Sequence, residues 1–557
     1  MHGLRGIRVV DLTSQIAGPY CTKLFADAGA EVIKVESAAG DPLRRWSATG
    51  GDLGTSDGAL FQYLNASKRS VVGDHDDAKI RALIADADLL IEDLGPGAAL
   101  DRAGLCREHP RLVLLSLSPF GLTGPYANRP ATDFTIQAEC GSIGGRGVPG
   151  KEPYQAGGRL TEWVAGTFAA AAALAAIRGA QRSGAGEHID FSLNECMSLA
   201  ATIFLDLMYS LLGRPQTGGF SAQNVETPSI EPTTDGYVGF NTNTAQQISD
   251  FLLLIERPEL RETAEFSLAM QRIARMEEWE AIVRDWTRRH STAEIIEQAQ
   301  LLRIPVAPIG NGRSLLEHEQ LTAREIYRDA AGGQFKVPCP PYRIDGERPP
   351  APSPAPALGE HDDRAEFSTT PSTTSSTTPK TTNVGSEPRE LPLAGIRVVD
   401  ATAWWAGPSA THALACLGAD VIHVESISRV DGARTVGGML TGLHEDWWEA
   451  SNIFLSANTN KRGVTADLSD PRGRAILDEL IASADVFVEN FSPRVMDSFG
   501  IDWEHVQSLN PNCIMVRMPA FGLDGPWRDN VGFAQTMEQL SGLAWLTGHP
   551  DDQPRIP

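Results

Sequence analysis

The chain has 557 residues, more than one hydrophobic core usually serves, so several domains are expected. Hydrophobic residues at 42% and charged residues at 21% exclude a disordered or collagen-like chain. A formal charge of -23 argues against a broad grip on nucleic acid or an anionic membrane, so an acidic ligand needs a local basic pocket.

Residues 1–12 run directly into a strand-like pattern and lack the charged start, apolar core and small-residue cleavage site of a signal peptide. Ile7-Arg-Val-Val-Asp11 reads as a buried strand, followed by a turn containing Ala17-Gly18-Pro19 and then a helix. Strand 31–36, helix 78–87, strands 89–92 and 112–116, helix 163–178 and strand 188–192 follow. This alternation predicts an α/β fold: a mostly parallel, Rossmann-like sheet covered by helices. Residues 235–307 read as a smaller α/β domain. The longest apolar stretch, 163–177, lies between Glu162 and Arg178 and falls short of the roughly 20 residues of a membrane span, so it reads as a buried Ala-rich helix. The seven cysteines, Cys21, Cys106, Cys140, Cys196, Cys339, Cys416 and Cys513, form no C-x-x-C pair, which favours a reducing cytoplasm over a zinc site or disulfide framework.

The pattern then repeats. Residues 4–37, LRGIRVVDLTSQIAGPYCTKLFADAGAEVIKVES, are answered by 393–426, LAGIRVVDATAWWAGPSATHALACLGADVIHVES. Asn65-Ala-Ser-Lys-Arg69 matches Asn458-Thr-Asn-Lys-Arg462, Ile91-Glu-Asp93 matches Val488-Glu-Asn490, and Phe120-Gly-Leu-Thr-Gly-Pro125 matches Phe521-Gly-Leu-Asp-Gly-Pro526. The chain therefore reads as a first module over 1–367, with a large domain of about 1–215 plus 310–367 and a small domain of about 216–309. A Thr/Ser/Pro tether over 368–390 and the front part of a second module over 391–557 follow.

Single residues are ambiguous from spacing alone. The Ile16-Ala-Gly-Pro19 turn could bring amides and a helix N-terminus to a phosphate, but it also suits a plain strand-to-helix turn. It carries neither G-x-G-x-x-G nor a P-loop. Lys68 and Arg69, repeated as Lys461 and Arg462, read as phosphate contacts or as solvated surface charges. Glu162 reads as a nucleophile or as a carboxylate favoured by the start of the helix that follows.

Taken together, A-G-P-Y-C-T, G-A-E-V-I-K-V-E, G-D-x-x-x-R at 40–45, the K-R pair, F-G-x-x-G-P and P-A-L-G-E-H at 356–361 resemble the CaiB/BaiF-like family III CoA-transferases, the group of formyl-CoA and carnitine CoA-transferases. The resemblance covers nearly all of 4–363 and then 391–557. It implies the family fold in duplicate, acyl-CoA and a carboxylic acid as substrates, no metal or redox cofactor, and a homodimer or a pseudo-dimer of the two copies. It places the family's Asp nucleophile at Glu162, a departure in this chain. It places CoA contacts at Ile16, Ala17, Ser37, Lys68, Arg69, Asp93, Leu94, Gly95 and Arg102, and in the second copy at Asn458, Lys461, Arg462, Asn490 and Phe491. Asp93 departs from the family's Asn, which Asn490 retains, and the second copy stops short of its own nucleophile position, as in the front portion of a longer tandem enzyme.

The implied chemistry is attack of the carboxylate on an acyl-CoA thioester, then an enzyme-bound CoA thioester that an incoming acid resolves. Two other readings stay open: a degenerate acyl-CoA-binding or scaffolding module, and a 2-methylacyl-CoA racemase. The racemase needs a His-Asp pair where this chain has Thr132-Asp133.

Overall fold

A computed structural model describes residues 3–145, 147–148, 151–202, 228–267, 269–368, 390–435 and 445–557. Most of the tract expected to act as a tether, and the first part of the expected small domain, lie outside these residues. The chain forms two compact units: Met1–Cys140, Arg159–Ala201 and Glu325–Leu393 in one, and Gly141–Gly158, Thr202–Arg324 and Ala394–Pro557 in the other.

The first unit is built on six parallel strands, β1 (Arg8–Asp11), β2 (Glu31–Glu36), β3 (Arg69–Val72), β4 (Leu89–Glu92), β5 (Val113–Ser118) and β6 (His188–Ser192). Their order is β3-β2-β1-β4-β5-β6, that of a doubly wound nucleotide-binding sheet. Both faces are covered, which is why the strands read as continuous apolar runs. On one face Val9, Val32, Leu89, Ile91, Val113 and Leu115 pack with the small side chains Ala165, Ala169, Ala173 and Ala176. On the other, Val10, Ile33, Val71, Leu90 and Leu114 meet Ile80, Leu83 and Ile84 of the helix Ala78–Ala85.

The helix that carries these alanines is Leu160–Ser183, 24 residues long, and it begins three residues before the expected start. Its N-cap is Arg159 in the left-handed region, with no side-chain cap, so the usual Ser/Asp signal for a helix start is missing. The helix stops at Gly184, also left-handed. It is long and apolar enough to cross a membrane by length and composition, yet one face is spent on the core of this unit. A Cβ at Gly166 would lie 2.7 Å from the Ala17 carbonyl oxygen. The helix therefore meets Ala17–Asp27 backbone to backbone, which fixes its first turn beside the β1 loop.

A hairpin of β10 (Tyr327–Asp329) and β11 (Lys336–Pro338) follows in this unit, after which the chain runs back to β3. Ser67 and Ser70 exchange hydrogen bonds with Ser353, Gly359 and His361, so the P-A-L-G-E-H segment lies along the sheet's edge strand.

The second unit holds a small antiparallel sheet, β7 (Ile230–Pro232), β8 (Tyr237–Phe240) and β9 (Val306–Pro308), around a core containing Phe251, Trp279 and Trp286. It also holds β12 (Arg397–Ala401), β13 (Asp420–Glu425), β14 (Arg462–Thr465), β15 (Val486–Glu489) and β16 (Ile514–Arg517). Their order β14-β13-β12-β15-β16, parallel throughout, repeats the first five strands of the first sheet.

Candidate active site around Glu162

Strand order gathers the site. In a 3-2-1-4 sheet the loops after β1, β2 and β4 leave adjacent strand ends, on the side where such folds bind ligands. Ile16, Ala17, Ser37 and the Asp93–Leu94–Gly95 turn come from those three loops. Ser37 and Leu94 are exposed, whereas Ile16 and Ala17 are buried.

Glu162 is the third residue of its helix and is mostly buried, its side chain 14% exposed. Oε2 accepts the Ile16 N–H at 3.1 Å. Oε1 accepts from Arg159 Nε at 2.8 Å, and Arg159 Nη2 completes the ion pair. The neighbouring Thr161 N–H is taken by Asp133 Oδ1 at 3.0 Å, and Trp163 packs edge-on against Tyr20 with ring centroids 4.8 Å apart. Burial pushes the Glu162 carboxyl upward, while the Arg159 guanidinium and the Ile16 amide pull it back. The result is an oriented carboxylate in the first helical turn, a form suited to nucleophilic attack.

Arg159 carries no family motif and was not singled out in the sequence. The available signal was its place three residues before Glu162, the spacing of a helical ion pair. Arg44 was missed as well. The G-D-x-x-x-R reading points to Arg45, but Arg45 is exposed, while Arg44 is buried and grips Glu36 through Nε at 2.8 Å and Nη2 at 2.7 Å.

The K-R pairs make mostly internal contacts. Lys68 is not a solvated charge: its side chain is 0% exposed. Its ammonium lies 3.2 Å from Asp11 Oδ2 and donates to Pro19 O, Thr22 Oγ1 and Asn65 Oδ1 at 2.7–3.0 Å. Arg69 pairs with Glu31 at 2.9 Å and holds the carbonyls of Arg364 and Glu366, tying the returning segment to the sheet. The second copy repeats the arrangement. Lys461 reaches Asp400 Oδ2 at 2.9 Å and Asn458 Oδ1 at 2.8 Å, and Arg462 makes a fork onto Asp420. Of these four cations only Arg462 is a surface charge.

Arg102 is also internally committed, through Nε to Glu92 at 2.8 Å and Nη2 to the Gly95 carbonyl at 2.8 Å. It shapes the turn after β4. In the second copy the equivalent carboxylate, Glu489, takes its arginine from β16 instead, Arg517 at 2.8 Å, and Phe491 packs against that module's core.

Asp93 and Asn490 do the same mechanical job. Asn490 ties the loop after β12 by accepting the Ala403 N–H at 2.9 Å and donating to the Ala403 carbonyl at 2.8 Å. Asp93 accepts the Ser14 N–H at 2.9 Å but, as an ionised acid, has nothing to donate. Burial pushes its carboxyl up to about 6, against the pull of the Ser14 amide. A folded value above the unfolded one means that the fold prefers the protonated acid. The penalty is thus complete above pH 6 and relieved as pH falls towards 4. Asp93→Asn should stabilise the chain by about 1–3 kcal/mol at pH 7. In urea titrations it should flatten the wild-type gain between pH 7 and 5. Loss of stability in the variant would refute the clamp.

Residues 4–362 and 393–557 match CoA-transferase family III, and the chain belongs to that family. It is similar to the protein named Probable CoA-transferase Rv1866 of Mycobacterium tuberculosis, 28% identical over 553 residues, covering 96% of this chain and 66% of that protein. The chain thus spans just under two thirds of that relative's length. It is 32% identical over 384 residues to succinyl-CoA:(R)-benzylsuccinate CoA-transferase subunit BbsE of Thauera aromatica, covering 64% of this chain and 91% of that subunit. Among solved structures, a CaiB/BaiF family protein from Brucella suis matches with TM-score 0.56 and 28% identity, over 65% of this chain and 97% of that one.

Proposed function

We propose that the chain transfers coenzyme A from an acyl-CoA donor to a carboxylic acid, with Glu162 as the residue that is transiently acylated. The observation that carries this is the Glu162 carboxylate itself, oriented by the Ile16 amide and Arg159 beside the loops after β1, β2 and β4. Attack of that carboxylate on the thioester carbonyl gives an anhydride and CoA thiolate. The thiolate then attacks the Glu162 carbonyl, releases the donor acid and leaves Glu162 as a CoA thioester. An acceptor acid reverses the sequence. With Lys68 and Arg102 committed, this reading gives CoA recognition to the loops after β1, β2 and β4, where Ser37 and Leu94 are exposed.

One observation favours a second reading, a non-catalytic CoA-binding module: both Glu162 oxygens already have partners, as they would in a structural helix cap. Kinetics separate the two. Exchange of labelled CoA between an acyl-CoA and its free acid, with parallel lines in the double-reciprocal plots of a ping-pong reaction, is expected for transfer. Binding of acyl-CoA with no exchange would support the second reading.

A further inference from the structure

Arg159 pairs directly with Glu162. Its backbone lies in the left-handed region (φ 59°, ψ 45°), which a bulky non-glycine residue adopts only at a cost. Its Nε donates to Glu162 Oε1 at 2.8 Å, and Nη2 reaches the same carboxylate and Gln15 Oε1 at 3.3 Å. Gln15 is itself left-handed at φ 63°. The Arg159 side chain is 35% exposed against 14% for Glu162, so it is the more solvent-accessible member of the pair. Asp133, the other carboxylate that acts on Glu162, is committed to the Thr161 N–H at 3.0 Å and to Gln137 Nε2 at 2.9 Å.

In the resting site the two charges cancel. Acylation of Glu162, as an anhydride or a thioester, removes the negative charge and leaves a partly buried cation facing a neutral carbonyl, which is unfavourable. The next species needed is an acceptor carboxylate, directed at that carbonyl carbon. We propose that Arg159 is a charge-swap residue: it pairs with Glu162 at rest and holds the acceptor's carboxylate once Glu162 carries CoA. This rests on the transfer reading above. In the step it serves, an acceptor oxygen bonds to the Glu162 carbonyl carbon, the carbon–sulfur bond breaks, and the electron pair leaves with CoA thiolate. The thiolate then attacks the acceptor's acyl carbon, and Glu162 departs as a carboxylate and returns to Arg159. The swap orders the reaction, because Glu162 holds Arg159 until the donor has acylated the enzyme.

Glu162→Gln is a neutral mimic of the acylated state, so the idea can be tested by binding alone. Titration of the full chain with 13C-labelled succinate, followed by NMR, should show Glu162→Gln binding at least about tenfold tighter than wild type. Adding Arg159→Gln should abolish the gain, and Arg159→Lys in its place should keep part of it, which guards against a variant that fails to fold. Equal succinate affinity in wild type and Glu162→Gln, or a gain that survives Arg159→Gln, would overturn the proposal. A gain that depends on Arg159 in a chain with no exchange activity would uphold Arg159 as a carboxylate site opened when residue 162 is neutral and defeat the transfer reading. Exchange activity without the gain would defeat the swap alone.

Discussion

Glu162→Gln should lower CoA exchange by about a thousandfold or more, with circular dichroism and melting temperature close to wild type. The amide keeps the size of the side chain and can still accept the Ile16 N–H, so the helix start should survive. What it loses is the carboxylate oxygen that must bond to the acyl carbon. Glu162→Asp keeps the chemistry but withdraws the group by about one bond length from Ile16 and Arg159. Misplacement near 1 Å costs roughly a hundredfold, so it should fall between wild type and the glutamine variant. Equal exchange rates for wild type and Glu162→Gln would remove Glu162 from the mechanism.

Lys68→Met should be the most destabilising substitution considered, at about 3–5 kcal/mol at pH 7, because it removes the direct ion partner of the buried Asp11 carboxylate and leaves only the more distant Lys34. The Pro19 carbonyl, Thr22 and Asn65 lose a donor at the same time. Burial alone would raise the Asp11 carboxyl, but Lys68, Lys34 and the hydroxyls of Thr13 and Thr22 outweigh it and hold it at about 2. A depressed folded value gives stability that is present above the unfolded value near 4 and is lost as pH falls towards 2. In urea denaturation the wild type should lose this contribution over that acid range, and the variant should show less of it. Lys461→Met should cost less, since Asp400 keeps His423 at 3.1 Å as a second partner. A loss below about 1 kcal/mol for Lys68→Met would mean that the buried network is not a structural anchor.

The repeated strand pattern made the sheet legible, because parallel strands buried on both faces leave unbroken apolar runs such as Val9-Val10 and Leu89-Leu90-Ile91. Strands 31–36, 89–92 and 188–192 fall where the residues place them. The helix start did not, because Arg159 enters it with a left-handed backbone instead of a capping side chain. Lys68 was misread for a different reason. A lysine beside an arginine before a strand resembles surface, and only folding brings it to Asp11, 57 residues earlier. Asp93 likewise meets Ser14 across 79 residues, so its role as a clamp could not be separated from a ligand contact by spacing. Glu162 was legible through the family motif alone. Its partners Ile16, at a separation of 146 residues, and Arg159 come from the fold.

Transfer through Glu162 requires that this residue become covalently bonded to CoA. Incubation of the full chain with an acyl-CoA, rapid acid quench and peptide mass spectrometry should show the mass of CoA less water on the peptide containing Glu162. The adduct should be removed by hydroxylamine and absent from Glu162→Gln. Exchange activity with no adduct on that peptide, or an adduct on a different carboxylate that persists in Glu162→Gln, would contradict it.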